Sequence, residues 1–107
     1  MEVELKVELL YFDGCPHYEA VLLALREELG RAGLEAQLVL VRVETAEQAE
    51  TERFLGSPTV RVDGADVEPA AAGREDFGLK CRVYQLAGRT SGIPPRELIA
   101  AAIRAAG

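Results

Sequence analysis

The chain has 107 residues, 49% hydrophobic and 28% charged, with a net charge of −6. That length holds one domain around one core, and the composition is that of a folded chain. The acidic balance, with no basic block, argues against nucleic acid and against an anionic membrane surface as partners. From Glu2 onward charged and apolar residues alternate, without the basic and apolar regions of a signal peptide. No run approaches the roughly 20 apolar residues of a membrane span, so a cytoplasmic location is expected. Thiols stay reduced there, and the two cysteines, Cys15 and Cys81, therefore suggest redox chemistry, metal binding or core filling rather than a structural staple.

Val3, Leu5, Val7 and Leu9 alternate with Glu2, Glu4, Lys6 and Glu8, which predicts a strand. From Leu9 to Phe12 it becomes apolar on both faces, as in a central strand. Asp13-Gly14 ends it, and Pro16 suits the first position of a helix. Tyr18, Val21, Leu22, Leu25 and Leu29 form the buried stripe of that helix, with Glu27, Glu28 and Arg31 among its polar positions and Gly30 and Gly33 at its stop. Leu34 to Val43 is nearly continuously apolar over its second half and predicts a parallel strand buried on both sides. Strand, helix and strand make a right-handed βαβ unit.

Thr45 and Gln48 read as the capping box of a second helix ending at Gly56, with Ala46, Ala49 and Phe54 facing inward. Ser57-Pro58-Thr59 follows, then a strand at Val60–Val62, a turn at Asp63-Gly64 and a returning strand from Ala65 to Glu68. Pro69 to Phe77 reads as loop, Leu79 to Leu86 as a short strand or edge, and Gly88 to Pro94 as loop. Pro95 opens a last helix through Ala106, with Leu98, Ile99, Ala102 and Ile103 inward. The expected order is β-α-β-α-β-β-α in one α/β domain spanning 1–107.

Cys15 stands where the first strand gives way to the first helix. The free N–H groups of a helix start and the helix dipole stabilise a thiolate, and a protonated His17 adds to this, while apolar shielding opposes it. Cys15 is therefore the candidate nucleophile, with an inert buried thiol as the alternative.

In this element order, Cys15 within Phe12-Asp13-Gly14-Cys15-Pro16-His17-Tyr18 and Ser57-Pro58-Thr59 before the hairpin make the chain resemble the thioredoxin-like superfamily. In particular it looks like small bacterial members with a single active-site cysteine before proline. The resemblance implies a thioredoxin-like fold, with a four-stranded mixed sheet and helices on both faces. It implies catalytic Cys15 facing a cis Ser57–Pro58 bond, with Ser57 presenting its N–H and C=O to a substrate that pairs as an added strand. Pro16, His17, Tyr18, Ser57 and Thr59 are the candidate substrate-binding residues around Cys15 and Pro58.

The superfamily's usual second cysteine is replaced by Tyr18. Cys81 is the candidate to resolve an intermediate on Cys15, its alternative being a core cysteine in an edge strand. Lys80 and Arg82 favour a Cys81 thiolate if they point toward it. Asp13 reads as a turn residue, with proton transfer to Cys15 as the alternative. Thiol–disulfide or peroxide-type redox chemistry is the expected function, with thiol or disulfide substrates and an external thiol reductant. No cofactor is expected, since nothing reads as a flavin or nicotinamide site. The rival readings are a soft-metal carrier using Cys15, His17 and Cys81 and a non-catalytic scaffold.

Overall fold

The computed structural model of the chain describes residues 5–14 and 18–106. The start expected for the first strand at Val3 lies outside them. The first strand, β1, runs Leu5–Tyr11 and is followed by helix α1 at Tyr18–Ala32, strand β2 at Ala36–Arg42 and a short helix α2 at Ala46–Thr51. Strands β3 (Thr59–Val62) and β4 (Ala65–Asp66) form the hairpin. A single 3-10 turn at Pro69–Ala71, strands β5 (Tyr84–Leu86) and β6 (Arg89–Ser91), and helix α3 (Arg96–Ala106) complete the order.

The main sheet has four strands in the order β2-β1-β3-β4. β1 runs parallel to β2, and β3 is antiparallel to both β1 and β4. β1 is central, and its alternation sends Leu5, Val7 and Leu9 to one face and Leu10 to the other. On the first face these side chains meet Val21, Leu25 and Leu29 of α1, Val60 and Val62 of β3, and Ile99 and Ile103 of α3. On the second, Leu10 packs with Val43, Ala49 and Phe54 around α2. Helices therefore cover both faces of a mixed α/β sheet. No helix among the described residues is long and apolar enough to cross a membrane.

β2 corrects one expectation. It lies at the sheet edge rather than inside, and Leu40 is 46% exposed. Glu28 corrects another. It is buried rather than on the open polar face, because Arg96 at the start of α3 donates to it at 3.0 Å and to Glu27 at 3.0 Å. This pairing holds the first turn of α3 against the third turn of α1.

The first two helices end in the same closing motif. At α1, Leu34 N–H donates to the Leu29 carbonyl at 3.1 Å and Gly33 N–H to Gly30 at 3.2 Å, with Gly33 in the left-handed region. At α2, Phe54 N–H donates to Ala49 at 2.7 Å and Arg53 N–H to Glu50 at 3.1 Å, with Arg53 at φ 54° in the glycine-favouring position. α2 thus stops at Thr51, earlier than the expected end at Gly56. Arg61 from β3 donates to the freed Glu52 and Arg53 carbonyls at 2.5 and 2.9 Å, a cation where the helix dipole favours one. At the other end of α2, Thr45 accepts from Gln48 N–H at 3.0 Å, while the Gln48 side chain reaches past Thr45 to accept from Glu44 N–H at 2.9 Å. The expected capping box is therefore shifted by one residue on its return bond.

The β5-β6 hairpin occupies a stretch expected to begin a loop at Gly88. Its turn is Ala87-Gly88, both with positive φ, as the twist of a two-residue hairpin requires.

Leu25 is fully buried between α1, the sheet and α3. Leu25→Ala is expected to cost about 2–5 kcal/mol, read as a lower urea midpoint at unchanged slope.

Candidate functional site at the Pro58 turn

The Leu10↔Thr59 pairing brings Pro58 alongside the C-terminal end of β1, the end at which Asp13-Gly14 turns toward α1. Here the rings of Tyr11, the last residue of β1, and Tyr18, the first of α1, stack with centroids 4.4 Å apart. The negative charge of Glu19 next to Tyr18, followed by partial burial and Tyr11, raises the Tyr18 phenol above its ordinary value. Asp13 forms an exposed ion pair with Arg42. Three of the candidate residues, Cys15, Pro16 and His17, lie outside the described residues.

The Ser57–Pro58 peptide bond is cis, and the chain from Gly56 to Val60 is buried throughout. The Thr59 hydroxyl donates to the Gly56 carbonyl at 2.6 Å, so this candidate substrate-binding side chain is turned into the protein. Both backbone groups of Ser57 are engaged. Its N–H donates to the Lys80 carbonyl at 2.8 Å, and its C=O accepts from Arg82 N–H at 3.0 Å. The two bonds make a parallel bridge between Ser57 and Cys81. The expectation that Ser57 offers these groups to an incoming substrate is therefore corrected: the chain's own 80–82 segment holds them.

From Cys81 to Gln85 exposed and buried residues alternate as in a strand. Cys81 and Val83 face solvent, and Arg82 and Tyr84 face inward. Cys81 is therefore an exposed thiol, not the core cysteine that was its alternative. The Arg82 side chain is fully buried. Its Nη1 and Nη2 donate to the Asp66 carboxylate at 2.7 and 2.8 Å, and further bonds reach Thr59 Oγ1 at 3.1 Å and Glu68 Oε1 at 3.3 Å. The guanidinium also lies 4.3 Å from the centroid of the Tyr84 ring. Burial acts to lower its pKa, and the Asp66 bonds, Tyr84 and Glu68 outweigh it, so the net direction is upward. Lys80 in turn pairs with Asp76 at 2.8 Å, and Arg74 forks onto the same carboxylate at 2.6 and 2.9 Å. These bonds, Arg74 first and then Lys80, hold Asp76 well below the usual carboxylate range. Both cations flanking Cys81 are thus committed to carboxylates rather than to the thiol.

Glycine at position 56 permits this close seating. A Cβ there would sit 2.9 Å from the Lys80 carbonyl oxygen and 3.1 Å from Arg82 N, and its φ of 122° is already in the glycine region. Tyr84 completes the support, its hydroxyl donating to the Pro58 carbonyl at 2.5 Å.

The Arg82 cluster escaped the reading of the sequence. The available signal was phase: Asp66 and Glu68 lie two apart on the returning strand, as Arg82 and Tyr84 do on theirs, so each pair shares a face. Among the described residues no three His, Cys, Asp or Glu side chains group as metal ligands, and Cys81 is the single member of the set with Cys15 and His17 that the structure describes. Comparison with protein-family models, curated proteins and solved structures gives no match.

Burial raises the Tyr84 phenol far above its ordinary value, and Arg82 only partly opposes this. A folded state that favours the neutral phenol keeps its full contribution below the unfolded value, about 10, and loses it as pH rises from there toward the folded value. The urea midpoint is therefore expected to fall above pH ~10, and Tyr84→Phe to make that fall shallower. At neutral pH the same variant should lose about 0.5–1.5 kcal/mol with the bond to Pro58.

Proposed function

We propose that this protein is a thioredoxin-like thiol redox protein in which Cys15 is the nucleophile and Cys81 the resolving thiol. The observation that carries this reading is the register of Cys81. It is solvent-exposed and bridged to Ser57, the residue before Pro58. Neighbouring strands lie about 5 Å apart, so the Cys81 backbone sits one strand spacing from Ser57, its thiol in solvent and the Ser57 side chain buried. Cys81 is thereby fixed beside the turn that the sequence resemblance sets opposite Cys15. The β2-β1-β3-β4 order, with a helical crossover between its parallel strands, supports the same resemblance.

In this reading the Cys15 thiolate attacks one sulfur of a disulfide, forming a mixed disulfide and expelling the first thiolate. The Cys81 thiolate then attacks the Cys15 sulfur, forming Cys15–Cys81 and expelling the second. The substrate gains two electrons and leaves as two thiols, and the protein's thiol pair loses two electrons. An external thiol reductant returns the pair to its starting state. With a peroxide the first step yields a sulfenic acid on Cys15 and an alcohol or water. Cys81 then displaces water to form the same link. Tyr18 takes the place of a second cysteine near Cys15, so the second thiol has to come from another segment.

Mass spectrometry of the native protein after a small disulfide or dilute peroxide tests this. The expected product is an intramolecular Cys15–Cys81 disulfide. Cys81→Ser should stop at the mixed disulfide or sulfenic acid on Cys15, and Cys15→Ser should form no link. No link in the wild type, with Cys15 alkylating as slowly as an ordinary thiol, would sink the reading.

A further inference from the structure

The strand-accepting groups beside Pro58 are already occupied, and the occupant is firmly held. A polypeptide that docks by adding a strand at Ser57 needs the Ser57 N–H and C=O. Both are bonded to the 80–82 segment, at 2.8 and 3.0 Å. To release them the segment has to leave, and three contacts oppose that. Arg82 would be drawn from a fully buried seat, abandoning Asp66 and Glu68, themselves nearly buried, without their counter-ion. Its ring contact with Tyr84 would be lost with it. Just upstream, Gly78 N–H donates to the Phe54 carbonyl at 3.0 Å, tying the approach to the end of α2. The absence of a side chain at Gly56 lets the two backbones sit closer than any other residue would allow.

We infer that the Pro58 turn is closed to substrates that dock as an added strand, and that the site serves small thiols, disulfides or peroxides that bring no peptide backbone to Ser57. The inference rests on the reading of Cys15 as the attacking thiol. It deepens that reading by naming the substrate class: the 80–82 segment takes the place of a bound peptide and presents Cys81 there.

The test uses the full-length reduced protein and two probes with the same leaving group. One is 2-hydroxyethyl disulfide. The other is an extended hexapeptide whose single cysteine carries a mercaptoethanol disulfide. Adduct formation at Cys15 is timed by mass spectrometry in Cys81→Ser, which keeps the mixed disulfide from resolving. Comparable rates, or a slower peptide, support the inference. Two new backbone bonds would speed the peptide by about tenfold or more, and such an advantage overturns it while leaving the redox reading intact. Failure of both probes to react at Cys15 overturns the redox reading and the inference with it. Amide hydrogen exchange gives an independent readout: Arg82 N–H should stay protected with the peptide at millimolar concentration, and loss of that protection overturns the inference alone.

Discussion

A guanidinium with no access to water governs the arrangement of the molecule's second half. Arg82 carries a full charge into the interior, and such a charge is tolerated only with its partners in place. Asp66 supplies a two-pronged acceptor, Glu68 and Thr59 fill in around it, and Tyr84 lies across its face. Three separate stretches of chain are fixed by this: the entry to β3, the returning strand β4, and the 80–82 segment. Between residues 69 and 81 only Ala71 is buried. The far end of this stretch is nevertheless anchored, because Arg82 is paired there with Asp66 and Glu68.

The anchoring has a chemical corollary. Residues next to each other in a strand point to opposite sides, so burying Arg82 and Tyr84 obliges Cys81 and Val83 to face out. The exposure of the thiol follows from the burial of the charge. Ser57, bonded on both backbone groups to this strand, and Pro58, accepting from Tyr84, are stiffened by the same elements. The Pro58 turn is therefore a buried, supported stretch of backbone rather than a loop free to adapt to a partner.

Much of this architecture is legible in the residues themselves. The alternation in β1, the i, i+3, i+4 stripe of α1 and the Asp63-Gly64 turn each have a strong local period or turn preference that tertiary packing did not override. Legibility fails where the deciding contact is distant. The Leu38 to Val43 run is as apolar as an interior strand, yet β2 sits at an edge, because sheet order depends on where β3 pairs. Ala87-Gly88 lacks the Asn or Asp that would advertise a hairpin, so β5 and β6 were indistinct. Arg53 adopts a conformation that glycine usually fills, which hid the early end of α2. Arg82 reads as a surface residue beside a cysteine until Asp66 and Glu68 are brought to it.

Leu9 and Leu10 are neighbours in sequence, yet they belong to different cores, one shared with α1 and α3 and the other with α2. The chain's tolerance of change in β1 is consequently lopsided. Exchanging one aliphatic residue for another perturbs a single compartment. Adding or deleting one residue ahead of Leu9 would invert the parity of the strand, turning Lys6 and Glu8 inward and Leu5 and Val7 outward. Heritable variation in this strand should accordingly accumulate as replacements at constant length, with insertions and deletions displaced to the loops.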